Sequence, residues 1–293
     1  MPAIEIPVAG PDAGPYGITT GPDGALWFTL VHSGQIGRLT VDGQLDRYDL
    51  DNPDCGPSLI TTGPDGALWF TRLHDHQIGR MAVDGTATAF PIPDTGPFGI
   101  TTGPDGALWF TEMHADRIGR ITTEGVVNEF PVPARPAMAS MIVTGADHAL
   151  WFTLNQANAI GRLALDGRVT LHPLPTADAA PVGITLGADG AVWFVEIAAG
   201  QVGRITPDGD LREFPLPDRT ARPHAIVGDP VEGCWFTEWG TGRVGHVTAS
   251  GQIRGYALTS PSAEPHGITV GPDDAVWVAL ETGHLARLAR TAA

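Results

Sequence analysis

A nine-residue phrase, GPDGALWFT, recurs at 21–29, 63–71 and 103–111. Looser copies follow as GADHALWFT (145–153), GADGAVWFV (187–195), DPVEGCWFT (229–237) and GPDDAVWVA (271–279). The in-phase tryptophans Trp27, Trp69, Trp109, Trp151, Trp193, Trp235 and Trp277 are spaced by 42, 40, 42, 42, 42 and 42 residues. Such a period is that of a four-stranded propeller blade. Each repeat also reads as four strands. In the first, Gly17–Thr20 is followed by a Pro-Asp-Gly turn and the β-branched and aromatic run Ala25–Thr29. A polar loop leads to Gln35–Thr40, Asp42-Gly43 signals a hairpin, and Gln44–Leu50 is the fourth strand. Pro-x-Pro pairs at 91–93, 131–133 and 215–217 end later fourth strands, and helical periodicity is absent.

The seventh repeat runs out after its third strand, His284–Leu288, while Ala3–Val8 resembles the fourth-strand segments NEFPVP and REFPLP. The N-terminal segment can therefore supply the missing outer strand and close the ring, removing exposed edges. The expectation is an all-β chain: a single seven-bladed β-propeller domain over 1–293, with four-stranded blades and the last closed by the N-terminal strand.

Composition narrows the chemistry. The 17 basic residues are all Arg, against 33 acidic ones, for a net charge of −16. A surface this acidic repels phosphate backbones, which argues against nucleic acid as a partner. Without lysine, Schiff bases, Walker-type phosphate loops and Ser–Lys dyads are excluded. None of the six serines lies in a G-x-S-x-G elbow. Cys55 and Cys234 fall in non-adjacent repeats and read as ordinary thiols. The start, MPAIEIPVAG, has no export-signal pattern and no apolar run reaches membrane-helix length, so the expectation is a cytoplasmic protein with no membrane partner.

Alignment of the repeats on their tryptophans places two zones at one mouth of the central channel. Eleven residues before each Trp stand Tyr16, Ser58, Phe98, Ser140, Val182, His224 and His266; four after it stand Val31, Leu73, Met113, Asn155, Ile197, Trp239 and Glu281. The symmetry breaks in the last two repeats, where ARPHAI (221–226) and AEPHGI (263–268) put His224 and His266 at matching positions. Glu264 and Glu281 both belong to the seventh repeat, one from each zone. Pro265 biases Glu264 toward an extended conformation, in which Glu264 and His266 point the same way. Clustered ionisable groups of this kind mark a site. Trp239 and Tyr16 are candidate walls. His32, His74 and His114, with His76, His148, His172, His246 and His284, read as solvated or structural, and Glu112, Glu196 and Glu238 as rim residues on solvated loops. If the two glutamates hold a metal, hard oxygen ligands favour Mg2+, with Zn2+ or Mn2+ open given the nearby imidazoles. A base beside a Lewis acid, with no nucleophile, suits proton abstraction next to a carbonyl followed by elimination.

The segments PYGIT (15–19), PVGIT (181–185), WFVEI (193–197), ARPHAI, WFTEWG (235–240), AEPHGIT (263–269) and VWVALE (276–281) carry a resemblance to the virginiamycin B lyase family over essentially the whole chain. The resemblance implies an antibiotic-resistance lyase that linearises streptogramin B cyclic depsipeptides such as virginiamycin S and quinupristin by elimination at the threonyl ester. It also implies His266 as proton acceptor, His224 as a substrate contact, Glu264 and Glu281 as Mg2+ ligands, Tyr16, Glu196, Glu238 and Trp239 as candidate pocket walls, and a monomer. The second and fourth repeats, DCGPSLI and PAMASMIV, depart from the regular inner-strand pattern, and Val278 stands where other repeats carry Phe. Two other readings stay open: a propeller lactonase or other hydrolase acting on a different cyclic ester, and a non-enzymatic binding propeller.

Overall fold

The computed structural model describes residues 3–92 and 94–290. Pro93, which closes the first Pro-x-Pro pair, lies outside them. Among the described residues there are seven four-stranded antiparallel sheets and no helix. Blade one is Pro15–Thr20, Leu26–Leu30, Gln35–Leu39 and Leu45–Asp49, from the channel outward. The expected ring closure is present. Ile4–Pro7 pairs antiparallel with His284–Leu288, Ile4 opposite Arg287 and Pro7 opposite His284. It forms the outer strand of blade seven, whose other strands are Val276–Leu280 and Pro265–Val270.

The repeated LWF phrase follows from where the second strand sits. Leu26–Leu30 is buried at every residue, whereas the outer strand Leu45–Asp49 alternates between exposed and half-buried. A second strand is covered on both faces by neighbouring blades. Trp27 packs forward with Ile60, Leu68 and Phe70 of blade two, and Phe28 packs backward with Trp277 of blade seven. Gly37 is needed behind Phe28, because a Cβ there would lie 2.1 Å from the ring. The indole Nε1 of Trp27 donates to Asp23 Oδ1 at 2.9 Å, and Arg38 Nε donates to Asp23 Oδ2 at 2.7 Å. A PDG turn, a Trp and an IGR strand thus form one tether within a blade. Cys55 and Cys234 are both buried free thiols.

The inner strands begin two residues earlier than the sequence predicts, because each carries a β-bulge. In blade one Pro15 faces Leu30 and Ile18 faces Phe28, and the register shifts between them. The same shift separates Pro223 from Ile226 and Pro265 from Ile268. A bulge puts extra residues against the partner strand and re-aims their side chains. The bulged residues are those of the channel-mouth zone, Tyr16, His224 and His266 among them. Threonine stitches these bulges together. Gly17 N donates to Thr29 Oγ1 at 2.8 Å, and the same hydroxyl donates to Ser58 O of the next blade at 2.7 Å.

The second-strand ends correct one expectation. Glu112, Glu196 and Glu238 are not on solvated loops; they are the last residues of buried strands, 0%, 0% and 6% exposed. Each strand end is covered by the preceding blade, which the repeat pattern does not show. Arg72, their counterpart in blade two, is also buried and paired with Asp51 and Asp75. Neither oxygen of Glu112 has a hydrogen-bond partner, and its carboxyl is pushed up to about 7, by burial and then by Glu129, against the opposing Arg117. Burial pushes Glu196 up to about 8 despite a hydrogen bond from Gln201.

Two stability predictions follow from these contacts. Asp105 accepts from Trp109 Nε1 at 2.9 Å, so Asp105→Ala strands a buried indole donor. The expected loss is about 1–3 kcal/mol in denaturant unfolding. Glu112 and Glu196 keep their protons in the folded state to higher pH than in the unfolded chain, so stability falls as pH rises from the ordinary 4.5 through 7 to 8. Glu112→Gln and Glu196→Gln remove that slope. Glu112→Gln gains about 3 kcal/mol and Glu196→Gln about 5 kcal/mol over wild type at about pH 9, and little at about pH 4, read from chemical denaturation at both.

Candidate active site at the channel mouth

The two zones converge as expected, through a backbone hydrogen bond repeated around the ring. Val31 N donates to Gly14 O at 2.9 Å in blade one, and Glu281 N donates to Glu264 O at 3.1 Å in blade seven. That bond requires a left-handed turn before the inner strand. Gly14, Gly56 and Gly96 adopt it at φ 67°, 60° and 60°, and Met138, Ala180, Arg222 and Glu264 adopt it at 50–52° without being glycine. Glu264 is therefore not extended, and its expected parallel projection with His266 does not hold. The ring-wide turn outweighs the local bias of Pro265. A non-glycine residue held in this region costs of order 1–3 kcal/mol and is typical of functional sites.

His266 sits on the bulge of blade seven, 7% exposed. Its Nε2 is 2.6 Å from Glu281 Oε2, while its Nδ1 is buried with no partner. The other oxygen of Glu281 is 2.8 Å from His32 Nε2. The His266 hydrogen bond, opposed by partial burial and helped by His32, holds the Glu281 carboxyl down at about 2. A carboxylate only accepts, so His266 presents Nε2–H to Glu281 and keeps its lone pair on Nδ1.

His224, on the bulge of blade six, places its ring 4.7 Å from that of His266 at 89°. Tyr16 enters from blade one, with ring centroids 4.5 Å from His266, 5.8 Å from His224 and 6.3 Å from Phe98. Its hydroxyl is 3.4 Å from His224 Nε2. Burial, then the neighbouring His266 imidazole, pulls His224 down to about 3 against the opposing effect of Glu281. Burial raises the Tyr16 phenol well above its usual value, so both groups are neutral. Trp239 stands 6.5 Å from His266 under the Arg222 guanidinium, 5.5 Å away, and its buried Nε1 has no partner. Beneath the mouth lies a cavity of about 130 Å³ whose lining includes Ile18, Ile100, Ile142, Ile184, Ile226 and Ile268.

Of the sequence-predicted residues, His224, His266 and Glu281 come together at side-chain range. Glu264 joins them through its backbone bond to Glu281; it is half-buried, and no protein hydrogen bond reaches its carboxylate among the described residues. His32, read from the sequence as structural, belongs to the site. Blade one abuts blade seven at the closure, so His32 alone of its equivalents faces a carboxylate. His74 instead meets Asp54 O at 3.2 Å, and a Cβ on Gly96 would lie 2.4 Å from His114 Nδ1. Asking which histidine borders the Glu281 position would have found it.

Among the described residues no three His, Cys, Asp or Glu side chains are grouped to hold a metal. Two carboxylates are available at the mouth: Glu264, and Glu281, whose oxygens face His266 and His32. This suits Mg2+, which retains waters and takes one or two carboxylates, better than Zn2+ with its three or four protein ligands.

Residues 1–288 match the family model described as the Virginiamycin B lyase family. A solved streptogramin B lyase structure superposes with a TM-score of 0.94 at 42% identity, covering 97% of this chain and 96% of that one. A catalytically inactive histidine-to-alanine variant of virginiamycin B lyase from Staphylococcus aureus, solved with quinupristin, superposes at 0.95 with 40% identity and 99% coverage of both chains. The virginiamycin B lyase of Saccharopolyspora erythraea is 64% identical over 44 residues, a stretch that spans 15% of this chain and 15% of that protein. Blade-for-blade similarity at these identities, together with the whole-length family match, establishes that this chain belongs to the virginiamycin B lyase family.

Proposed function

We propose that the protein linearises streptogramin B cyclic depsipeptides by elimination at the threonyl ester, with His266 as the base. The observation that carries this reading is the His266–Glu281 pair at the channel mouth, Nε2 to Oε2 at 2.6 Å, which leaves Nδ1 as the basic atom. It is supported by the family membership and by the relative whose histidine variant is inactive and was solved with quinupristin.

In this reading His266 Nδ1 takes the α-hydrogen of the threonyl unit. The electron pair of that C–H bond forms the Cα=Cβ double bond, and the Cβ–O bond of the ester breaks. The ring opens to a carboxylate and an unsaturated residue without addition of water. Glu281 faces the charge that His266 gains, and His32 fixes Glu281 from the other side. Tyr16 and Trp239 offer flat walls to the depsipeptide, and His224 touches it beside the reacting carbon. Glu264 and Glu281 would hold Mg2+, which when bound supplies positive charge that acidifies the C–H next to the carbonyl. The sequence has no lysine, and Ser58 and Ser140 at the same mouth donate their hydroxyls to the backbone carbonyls of Gly56 and Met138.

Quinupristin incubated with the protein should give a linear product of unchanged mass with a new double bond, detected by mass spectrometry. The yield should fall with EDTA and return with Mg2+. A product heavier by one water means a hydrolase and overturns the reading. His266→Ala should lower kcat by about 10²–10⁴-fold, the usual contribution of a general base, while thermal unfolding stays cooperative.

A further inference from the structure

The threonine stitch between blades has two gaps. Thr29, Thr71, Thr111, Thr153 and Thr237 donate to the bulge carbonyls of Ser58, Phe98, Ser140, Val182 and His266 in the following blades, at 2.6–3.0 Å. The residues at the equivalent positions before His224 and Tyr16 are Val195 and Ala279, which have no hydroxyl. The two bulge residues whose carbonyls lack this donor are the two whose side chains are joined by a hydrogen bond. Tyr16 reaches from blade one past the His266 ring to His224 in blade six, 208 residues away in sequence.

Donor and acceptor strength decides how they meet. Tyr16 Oη has no other hydrogen bond among the described residues, and His224 Nδ1 is buried without a partner. If His224 carried its hydrogen on Nε2 and donated to the phenol oxygen, the phenol hydrogen and the Nδ1 lone pair would both be left unpaired. If the phenol donates to Nε2, what is left unpaired is Nδ1–H and a lone pair on the phenol oxygen. The second arrangement joins the more acidic hydrogen, that of the phenol, to the more basic lone pair, that of the imidazole, and is the stable one. Burial keeps both partners uncharged, as this exchange requires.

We propose that Tyr16 is a positioning residue that holds His224 in its Nδ1–H tautomer, so that His224 offers a hydrogen-bond donor to a carbonyl oxygen of the bound ester. The identity of that oxygen rests on the lyase reading; the tautomer does not. Abstraction of an α-proton moves negative charge onto the adjacent carbonyl oxygen, and a preorganised donor is worth most where charge develops. The His224 ring, 4.7 Å from that of His266, places the donor beside the base. A donor that is already neutral cannot lose its proton to the neighbouring imidazole.

The test is 15N NMR of the full-length protein labelled at histidine, with the His224 signals assigned by their loss in His224→Gln. Wild type should show His224 protonated at Nδ1, and Tyr16→Phe should shift it toward the Nε2–H form at an unchanged melting temperature. Turnover of quinupristin by Tyr16→Phe should fall about tenfold in kcat, the scale of one neutral hydrogen bond, with KM little changed. In a His224→Gln background, whose amide donor needs no tautomer, the same change should cost nothing further. An Nε2–H signal in wild type, a spectrum unmoved by Tyr16→Phe, or effects that multiply in the double variant overturn the proposal. A wild-type protein that leaves quinupristin intact overturns the lyase reading, while the tautomer spectrum still decides the role of Tyr16.

Discussion

Every inner strand starts with a bulge, and in five of the seven blades a threonine hydroxyl fills it from its own blade and ties it to the next. Thr237 shows both halves of the contact, accepting from Ala225 N at 2.9 Å and donating to His266 O at 3.0 Å. Without the bulge, the residue after the proline that opens six of the seven inner strands would stay in regular register with the second strand and its side chain would alternate between the blade faces. With it, seven side chains gather at one mouth, and the ring fixes their order. Two imidazoles from adjacent blades can meet only because those bulges are in register around the axis. The closure strand is part of the same constraint: pairing of Ile4–Pro7 with His284–Leu288 completes blade seven, which carries His266, Glu264 and Glu281.

The site departs from what stability alone would select. Glu264 and Arg222 occupy a left-handed backbone position filled by glycine in the first three blades. His224 Nδ1, His266 Nδ1 and Trp239 Nε1 are buried without partners within a few ångströms of one another's rings. Elsewhere in the ring the repeat supplies Ser58, Phe98, Ser140 and Val182 at the same mouth, residues that ask for little. Unpaired buried donors and acceptors are expensive in a closed fold and find their partners in a ligand. The stitched blades, whose second strands are buried at every residue, supply the rigidity that tolerates the expense.

Much of this was legible in the sequence, for a physical reason: strand period, hairpin chemistry and tryptophan packing are local or repeat at a fixed interval. Counting from the tryptophans gave the blade number, the closure strand and the matched pair His224 and His266. What was not legible depends on contacts between blades. The bulge is a two-strand event, and its onset at Pro15 rather than Gly17 shows only when Leu30 lies opposite. Glu264 follows the ring-wide turn instead of its proline neighbour. His32 meets Glu281 across 249 residues, at the seam where the first and last blades touch. Glu112 and Glu196 look like loop carboxylates until the preceding blade covers them.

Two chemically identical side chains a few ångströms apart need distinct environments to do distinct work. His266 leans on a carboxylate that accepts its Nε2 hydrogen and faces the charge it gains as a base. His224 leans on a phenol, which brings no charge, and its own burial keeps it neutral at any pH the fold experiences above about 3. Exchanging the two partners would exchange the two characters. The sequence already separates them by position: Glu281 comes from the same blade as His266, whereas Tyr16 comes from blade one and must cross the mouth to reach blade six. A closed ring makes that crossing short, since residues 208 apart along the chain are neighbours around the axis. The propeller therefore contributes more than a frame; its closure delivers the phenol and the second histidine, His32, that set the two imidazoles apart.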